Sequence, residues 1–178
     1  MLNANDVVTD DTLADTIAAG MAGAVVPASR VINGIEGLRN AAGTDLGASR
    51  WVTIDQDLVN SFARVTNDEQ WIHVDPQKAK DGPFGGTVAH GFLTMSLATS
   101  LLWDVAVVSG VDVILNYGLN KVRFPAPVKV GSRLRMHVTL AEVNEIKGGV
   151  ETIFHLVYET EEGPKPPCVA DMVWRYYA

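Results

Sequence analysis

The feature that most constrains the fold is a nearly continuous apolar segment from Thr87 to about Ser109, which precedes a strand-rich C-terminal third. The segment is too long for an ordinary strand and too uniformly apolar for a surface helix. We therefore predict a helix over this segment that is buried on most of its circumference. Such a helix requires other elements packed around it, and the rest of the chain must supply them.

The C-terminal third supplies that cover as four predicted strands. Alternation is clearest in "RLRMHVTLAEV", where Leu134 and Met136 point to one face and Arg133 and Arg135 to the other. "NEIKGGV" predicts a Gly-Gly hairpin turn. The other predicted strands are "VILNYGLNKVRF", "GVETIFHLVYET" and "CVADMVWRYY". A buried helix followed by long antiparallel strands predicts a single α+β fold in which a curled antiparallel sheet wraps around a long central helix.

Composition limits the class of protein. The chain has 178 residues, a length that argues for one domain. Its net charge of −7 argues against nucleic acid or an anionic membrane as a partner. Its single cysteine, Cys168, fits a reducing cytoplasm and argues against a structural zinc site. The first residues are acidic, unlike a signal peptide, so we interpret residues 1–33 as an N-terminal extension and residues 34–178 as the domain.

Helix signals organise the first half of the domain. Asn33 can cap a helix in "GIEGLRNAA", and the short strand "RWVTI" follows it. In "DQDLVNSFARVT" apolar residues recur at spacings of three and four, which predicts an amphipathic helix beginning near Asp55. A short helical turn is predicted near Pro76, followed by an irregular glycine-rich loop.

Asp68 lies just past the predicted end of the amphipathic helix, and His73 follows five residues later. On one continuous helix the two side chains would point about 140° apart, so they can share a site only if the chain breaks. Asn67 favours a break because asparagine tolerates the left-handed conformation that closes many helices. Asp68 and His73 are then either ordinary capping or solvated groups or an acid-base pair around one water, and their spacing leaves open which one takes the proton.

"GTVAHGF" places Gly91 in the first turn of the predicted buried helix, where backbone N–H groups lack partners within the helix. Such an N–H suits an oxyanion hole. The neighbouring His90 either contacts a substrate or satisfies local backbone groups. Phe84, Phe92 and Leu93 either line an acyl tunnel or belong to the core.

"DEQWIHVDP" followed by "GPFGGTVAHGFLT" resembles the signature of the MaoC-like, (R)-specific enoyl-CoA hydratases, and particularly their NodN-like branch. The resemblance runs from about Gly34 to the C-terminus. It implies a hot-dog fold and a homodimer. It also implies that Asp68 and His73 hold the water that adds to trans-2-enoyl-CoA, giving (R)-3-hydroxyacyl-CoA, while the Gly91 N–H polarises the thioester carbonyl. No metal or cofactor is then required, and coenzyme A enters as part of the substrate.

The chain departs from the broader hydratase pattern around the catalytic aspartate. In that pattern a glycine precedes the aspartate, and Asn-Pro follows it after one intervening residue. This chain has Asn67 at the glycine position and Gln70 and Trp71 at the Asn-Pro positions. The departures leave a non-catalytic acyl-thioester-binding protein and an acyl-CoA thioesterase as alternatives. The acyl-chain length and the carrier, coenzyme A or acyl carrier protein, stay open. The residues that we expect to contact substrate are Gln70, Trp71, Phe84, Gly86, His90, Phe92, Lys121 and Arg123.

Overall fold

A computed structural model describes residues 30–178, so most of the predicted N-terminal extension lies outside the described residues. The helices are α1 (Gly34–Ala41), α2 (Gln56–Thr66), α3 (Trp71–Val74), α4 (Pro76–Lys80), α5 (Gly91–Ser96) and α6 (Ala98–Val105). The strands are β1 (Arg30–Asn33), β2 (Thr44–Ala48), β3 (Val52–Thr53), β4 (Ala106–Ser109), β5 (Val113–Arg123), β6 (Arg133–Ile146), β7 (Gly149–Thr160) and β8 (Val169–Tyr177).

The main sheet is antiparallel, with strand order β2-β6-β7-β8-β5, and β3 also pairs with β6. The alternation predicted for β6 is confirmed, because Leu134, Met136, Val138 and Leu140 are all fully buried. These side chains join a core cluster that includes Leu101 of α6. The sheet therefore packs its apolar face on the central helical segment, as the α+β prediction requires.

The prediction of one helix from Thr87 to Ser109 was wrong at both ends. Before Gly91 the chain is extended, and Val88 bridges to Lys129. After Val105 the chain enters β4, which pairs in parallel with β1. The β-branched residues Val107 and Val108 of this strand favour an extended backbone when a partner strand is available. None of the helices within residues 30–178 is long and apolar enough to cross a membrane.

The central helical segment consists of α5 and α6, which join at Leu97. The Leu97 N–H donates to the Leu93 carbonyl at 3.2 Å, and the Leu101 N–H donates to the Leu97 carbonyl at 3.0 Å. One stripe of this segment faces outward, with Phe92 69% and Trp103 49% exposed. The helix is therefore less completely covered within one chain than its sequence predicts.

Strand β5 is an edge of the main sheet and exposes apolar side chains between Val113 and Leu119. It pairs with β8 on one side, and no strand within residues 30–178 pairs with its other side. We call its exposed apolar side chains the β5 edge surface: Val113, Ile114, Leu115, Tyr117 and Leu119. An unpaired apolar edge of this length is a site for pairing with another chain.

Candidate active site

The position of Asp68 is set by helix α2, which has a well-defined start and end. At its start the Asp55 carboxylate accepts the Leu58 N–H at 2.8 Å and caps the helix, which begins where it was predicted. At its end Asn67 adopts the left-handed conformation, with φ 55° and ψ 30°, as predicted. The N–H groups of Asn67 and Asp68 both donate to the Ala63 carbonyl. The chain thus turns off the helix axis immediately before Asp68.

Helix α3, which the sequence reasoning missed, carries His73 into a buried position with only 8% of its surface exposed. The Nδ1–H of His73 donates to the Val88 carbonyl at 2.6 Å. Because a carbonyl can only accept, the proton of the neutral ring lies on Nδ1 and the Nε2 lone pair remains available for chemistry.

The pKa of His73 lies below its ordinary value of 6.5. Burial is the largest cause, because it disfavours the charged imidazolium, and repulsion from His90 acts in the same direction. The hydrogen bond to Val88 and the charge of Asp68 act in the opposite direction without cancelling the shift. His73 is therefore neutral near pH 7.

His90 completes a cluster with Asp68 and His73. Its ring stacks on that of His73, with 3.8 Å between centroids and 24° between planes. Its Nε2–H donates to the backbone carbonyl of Asp68 at 2.9 Å. Ligand-type atoms of the three side chains lie within 4.8 Å of one another. One ring nitrogen of each histidine is already hydrogen-bonded to a backbone carbonyl, which fixes both rings beside Asp68.

His73 and Gly91 line one cavity of about 350 Å³. Phe84 also lines it. The Gly91 N–H begins α5 and has no hydrogen-bond partner among residues 30–178. The rest of the wall is formed by Ile72, Val88, Ala89, Thr94, Phe124, Pro125, Ala126, Pro127, Val128 and Pro167. The structure thus brings His73 and Gly91 to the wall of the same cavity.

Phe124 explains why a glycine is required at position 91. A Cβ atom on Gly91 would lie 3.0 Å from the Phe124 ring, closer than side chains normally approach. Phe124 also meets Phe92 edge-on, with ring centroids 6.1 Å apart. Sequence reasoning did not single out Phe124, because nothing in "FPAPV" indicates that the segment folds back onto the start of a helix 33 residues earlier.

Gln56, at the start of α2, is another residue that sequence reasoning missed. Its amide Nε2 donates to the His73 carbonyl at 2.7 Å and to Asn60 Oδ1 at 2.9 Å. Its Oε1 accepts the Thr87 hydroxyl at 2.7 Å. One amide thus connects α2, α3 and the extended segment that leads to His90.

Trp71 lies away from the cavity. The Lys78 ammonium sits 4.9 Å from the centroid of the indole ring. The Trp71 ring also covers Gly82, where a Cβ atom would lie 2.9 Å from it. The side chain packs against α4 and the following loop and is not part of the cavity wall. The cavity beside His73 is therefore not filled by this tryptophan.

The other residues expected to contact substrate do not line the cavity beside His73. Gln70 is exposed at the start of α3, and Gly86 is half-buried in the glycine-rich loop. Phe92 lines a second cavity of about 260 Å³ with Leu119 and six other residues. Lys121 and Arg123, which are also expected to contact substrate, are exposed on β5.

The family described as "MaoC like domain" matches residues 38–161. The chain belongs to this MaoC-like family. This MaoC-like chain is 49% identical over 150 residues to 3-hydroxyacyl-thioester dehydratase Z of Mycobacterium tuberculosis, covering 84% of this chain and 99% of the relative. It is 40% identical over 135 residues to nodulation protein N of Rhizobium leguminosarum bv. viciae, covering 74% and 83%.

The MaoC-like chain also resembles a solved Archaeoglobus structure, described as a monoamine oxidase regulatory protein. The TM-score is 0.69 at 21% identity, with 85% of this chain and 99% of that chain covered. The predicted MaoC-like family, its NodN-like branch and the hot-dog fold are confirmed.

Proposed function

We propose that this MaoC-like protein reversibly hydrates a trans-2-enoyl-CoA to an (R)-3-hydroxyacyl-CoA. The observation that carries the proposal is the cavity of about 350 Å³ that His73 and Gly91 share, with Asp68 beside His73. The chain is 49% identical to a relative named 3-hydroxyacyl-thioester dehydratase Z, and this similarity supports a thioester substrate. The (R) configuration and the coenzyme A carrier are part of the proposal.

The proposed chemistry uses groups that the chain itself provides. Asp68 and the Nε2 atom of His73 hold a water, remove one proton as its oxygen bonds to the β-carbon, and return a proton to the α-carbon. Negative charge develops on the thioester oxygen during the addition, and the Gly91 N–H donates to that oxygen. The overall reaction adds the elements of water across one double bond, so neither metal nor redox cofactor enters it.

Substrate binding follows from the walls of the cavity. Phe84 and Phe124 line it, so we expect them to contact the acyl chain. We propose that Lys121 and Arg123 meet the phosphates of the carrier, since β5 leads directly into Phe124 at the cavity wall. Gln70 and Gly86 remain proposed contacts at the rim.

The first test follows the loss of enoyl-thioester absorbance by the purified protein across a series of chain lengths. Asp68→Asn and His73→Asn should each lower kcat by about 10²–10⁴-fold, because each removes one proton-transfer group. The asparagine at position 73 can still donate to the Val88 carbonyl, which keeps the local fold. Full activity in both variants would exclude the proposed mechanism, and release of free thiol from saturated acyl-CoA would indicate a thioesterase instead.

The second test isolates the Gly91 N–H with a matched pair of variants. Gly91→Pro and Gly91→Ala both place a Cβ against Phe124, but only proline removes the N–H. Proline is tolerated at a first helical position, and the extended backbone of His90, with φ −61° and ψ 141°, is compatible with a following proline. We expect kcat of Gly91→Pro to fall about 10²–10³-fold below that of Gly91→Ala. Equal activity in the two would remove Gly91 from the mechanism.

We also propose that the protein is a homodimer that associates through the β5 edge surface. The unpaired side of β5 and its exposed apolar side chains support this arrangement. The exposed Phe92 lines the same groove as Leu119 of that surface, so a second copy would cover both.

A cytoplasmic location is a further part of the proposal. Cys168 is buried and is a free thiol, with its Sγ 4.0 Å from Met95 Sδ. An unpaired thiol used as a small core group is typical of a reducing compartment.

A further inference from the structure

We propose that His90 is a positioning residue that holds both acid-base groups, Asp68 through its backbone and His73 through its ring. The inference rests on the proposed hydration reaction. The sequence left two roles open for His90: contact with a substrate, or hydrogen bonding to local backbone groups. We assign it the second role, and we infer that this role affects catalysis.

The first link is the hydrogen bond from His90 Nε2 to the Asp68 carbonyl, 2.9 Å long. Asp68 follows the left-handed Asn67, and its side chain is exposed, so packing of that side chain does little to fix it. A tether to the backbone of Asp68 itself limits where the carboxylate can point. Since a misplacement of about 1 Å can cost about 10²-fold in rate, this restraint bears directly on turnover.

The second link is the stack of the His90 ring on His73 at 3.8 Å. On its other side His90 meets Phe62 of α2 at 5.1 Å between ring centroids. The ring is thus held between the helix that delivers Asp68 and the histidine that completes the pair. His90 is 3% exposed, so its ring has little space to reorient.

The third observation concerns the tautomer of His90. Its Nε2 must carry the proton that bonds to the Asp68 carbonyl, while its buried Nδ1 has no partner among residues 30–178. The charged or titratable groups that act on His73 are Asp68, which favours its imidazolium, and His90, which opposes it.

Two variants separate the links in the full-length protein. His90→Gln keeps an N–H donor at a reach similar to that of Nε2 but removes the stacked, titratable ring. His90→Phe keeps a ring against His73 but removes the donor to Asp68. We expect kcat of His90→Phe to lie about 10²-fold below the wild-type value, with a much smaller change in KM. We expect kcat of His90→Gln to be at least about tenfold higher than kcat of His90→Phe. His137→Gln, at an exposed strand position paired with Glu159, is the matched control and should leave kcat unchanged.

The second readout is the titration of His73 in the substrate-free protein, followed by NMR of the histidine rings and assigned with His73→Asn. Because His90 opposes the charged form of His73, His90→Gln should raise the pKa of His73, whereas His137→Gln should not change it. An unmoved titration together with equal losses of kcat in both His90 variants overturns the proposal. Failure of the wild-type protein to hydrate any enoyl-CoA overturns the proposed function instead, and the NMR titration still decides whether His90 acts on His73.

Discussion

Gln56 shows how a single side chain can organise a site that it does not enter. Replacing it with leucine removes the donor to the His73 carbonyl and the acceptor for the Thr87 hydroxyl. We expect Gln56→Leu to lower the free energy of unfolding by about 1–3 kcal/mol, because partly buried partners lose their hydrogen bonds. kcat should fall with it, since the His73 carbonyl then loses its hydrogen bond to α2. Urea unfolding and enoyl-CoA hydration measure the two effects.

Gln77→Leu is the control for this prediction, since Gln77 is exposed on α4. It should change neither the free energy of unfolding nor kcat appreciably. An effect of Gln77→Leu as large as that of Gln56→Leu would mean that added hydrophobicity, and not the lost network, is responsible.

The lowered pKa of His73 predicts how stability depends on pH. The unfolded chain binds a proton near the ordinary pKa of 6.5, whereas the folded chain binds it only at lower pH. The contribution of His73 to the free energy of unfolding is therefore fully present above pH 6.5. It is lost as the pH falls through 6.5 toward the folded-state pKa of His73. We expect the midpoint of urea unfolding to fall on acidification from pH 7 to pH 5. The decline should be shallower in His73→Asn, and parallel declines in the two proteins would show that His73 is not its source.

At the scale of elements, the end of α2 determines where Asp68 emerges. Asn67 is the only non-glycine residue with positive φ within residues 30–178. Asn67→Gly should preserve stability and activity, because glycine adopts this conformation without a steric penalty. Asn67→Val should lower the free energy of unfolding by about 1–2 kcal/mol and reduce kcat, because a β-branched residue resists the left-handed region. Thermal unfolding and hydration assays on the pair measure this, and equal behaviour of the two would contradict it.

At the scale of the whole molecule, the β5 edge surface predicts the state of association. Leu115 is exposed on this strand, and in a symmetric dimer a substitution there is introduced twice at one interface. We expect the wild-type protein to sediment as a dimer and Leu115→Lys to shift toward the monomer. Val65→Lys, at an exposed position on α2, is the control and should remain dimeric. A wild-type protein that is monomeric at micromolar concentration would contradict the proposed interface.

Features set by neighbouring residues could be predicted from the sequence. The start of α2 at Asp55, its left-handed end at Asn67 and the alternation along β6 depend on capping, backbone sterics and a period of two, all of which are local. The helix over the apolar segment was predicted too long, because hydrophobicity alone does not distinguish a buried helix from a buried strand. What ended the helix was β1, a partner strand more than seventy residues earlier in the chain.

The sequence by itself thus determined the fold class, the placement of Asp68 beyond a helix end, and a family signature in which Asp68, His73 and Gly91 occur together. Only the tertiary structure decided that His90 stacks on His73, that Phe124 closes on Gly91, and that Trp71 turns away from the cavity. The physical reason is that these contacts join segments whose separation along the chain carries no periodic signal. Their geometry follows from the packing of helices and loops against the sheet, which no local pattern encodes.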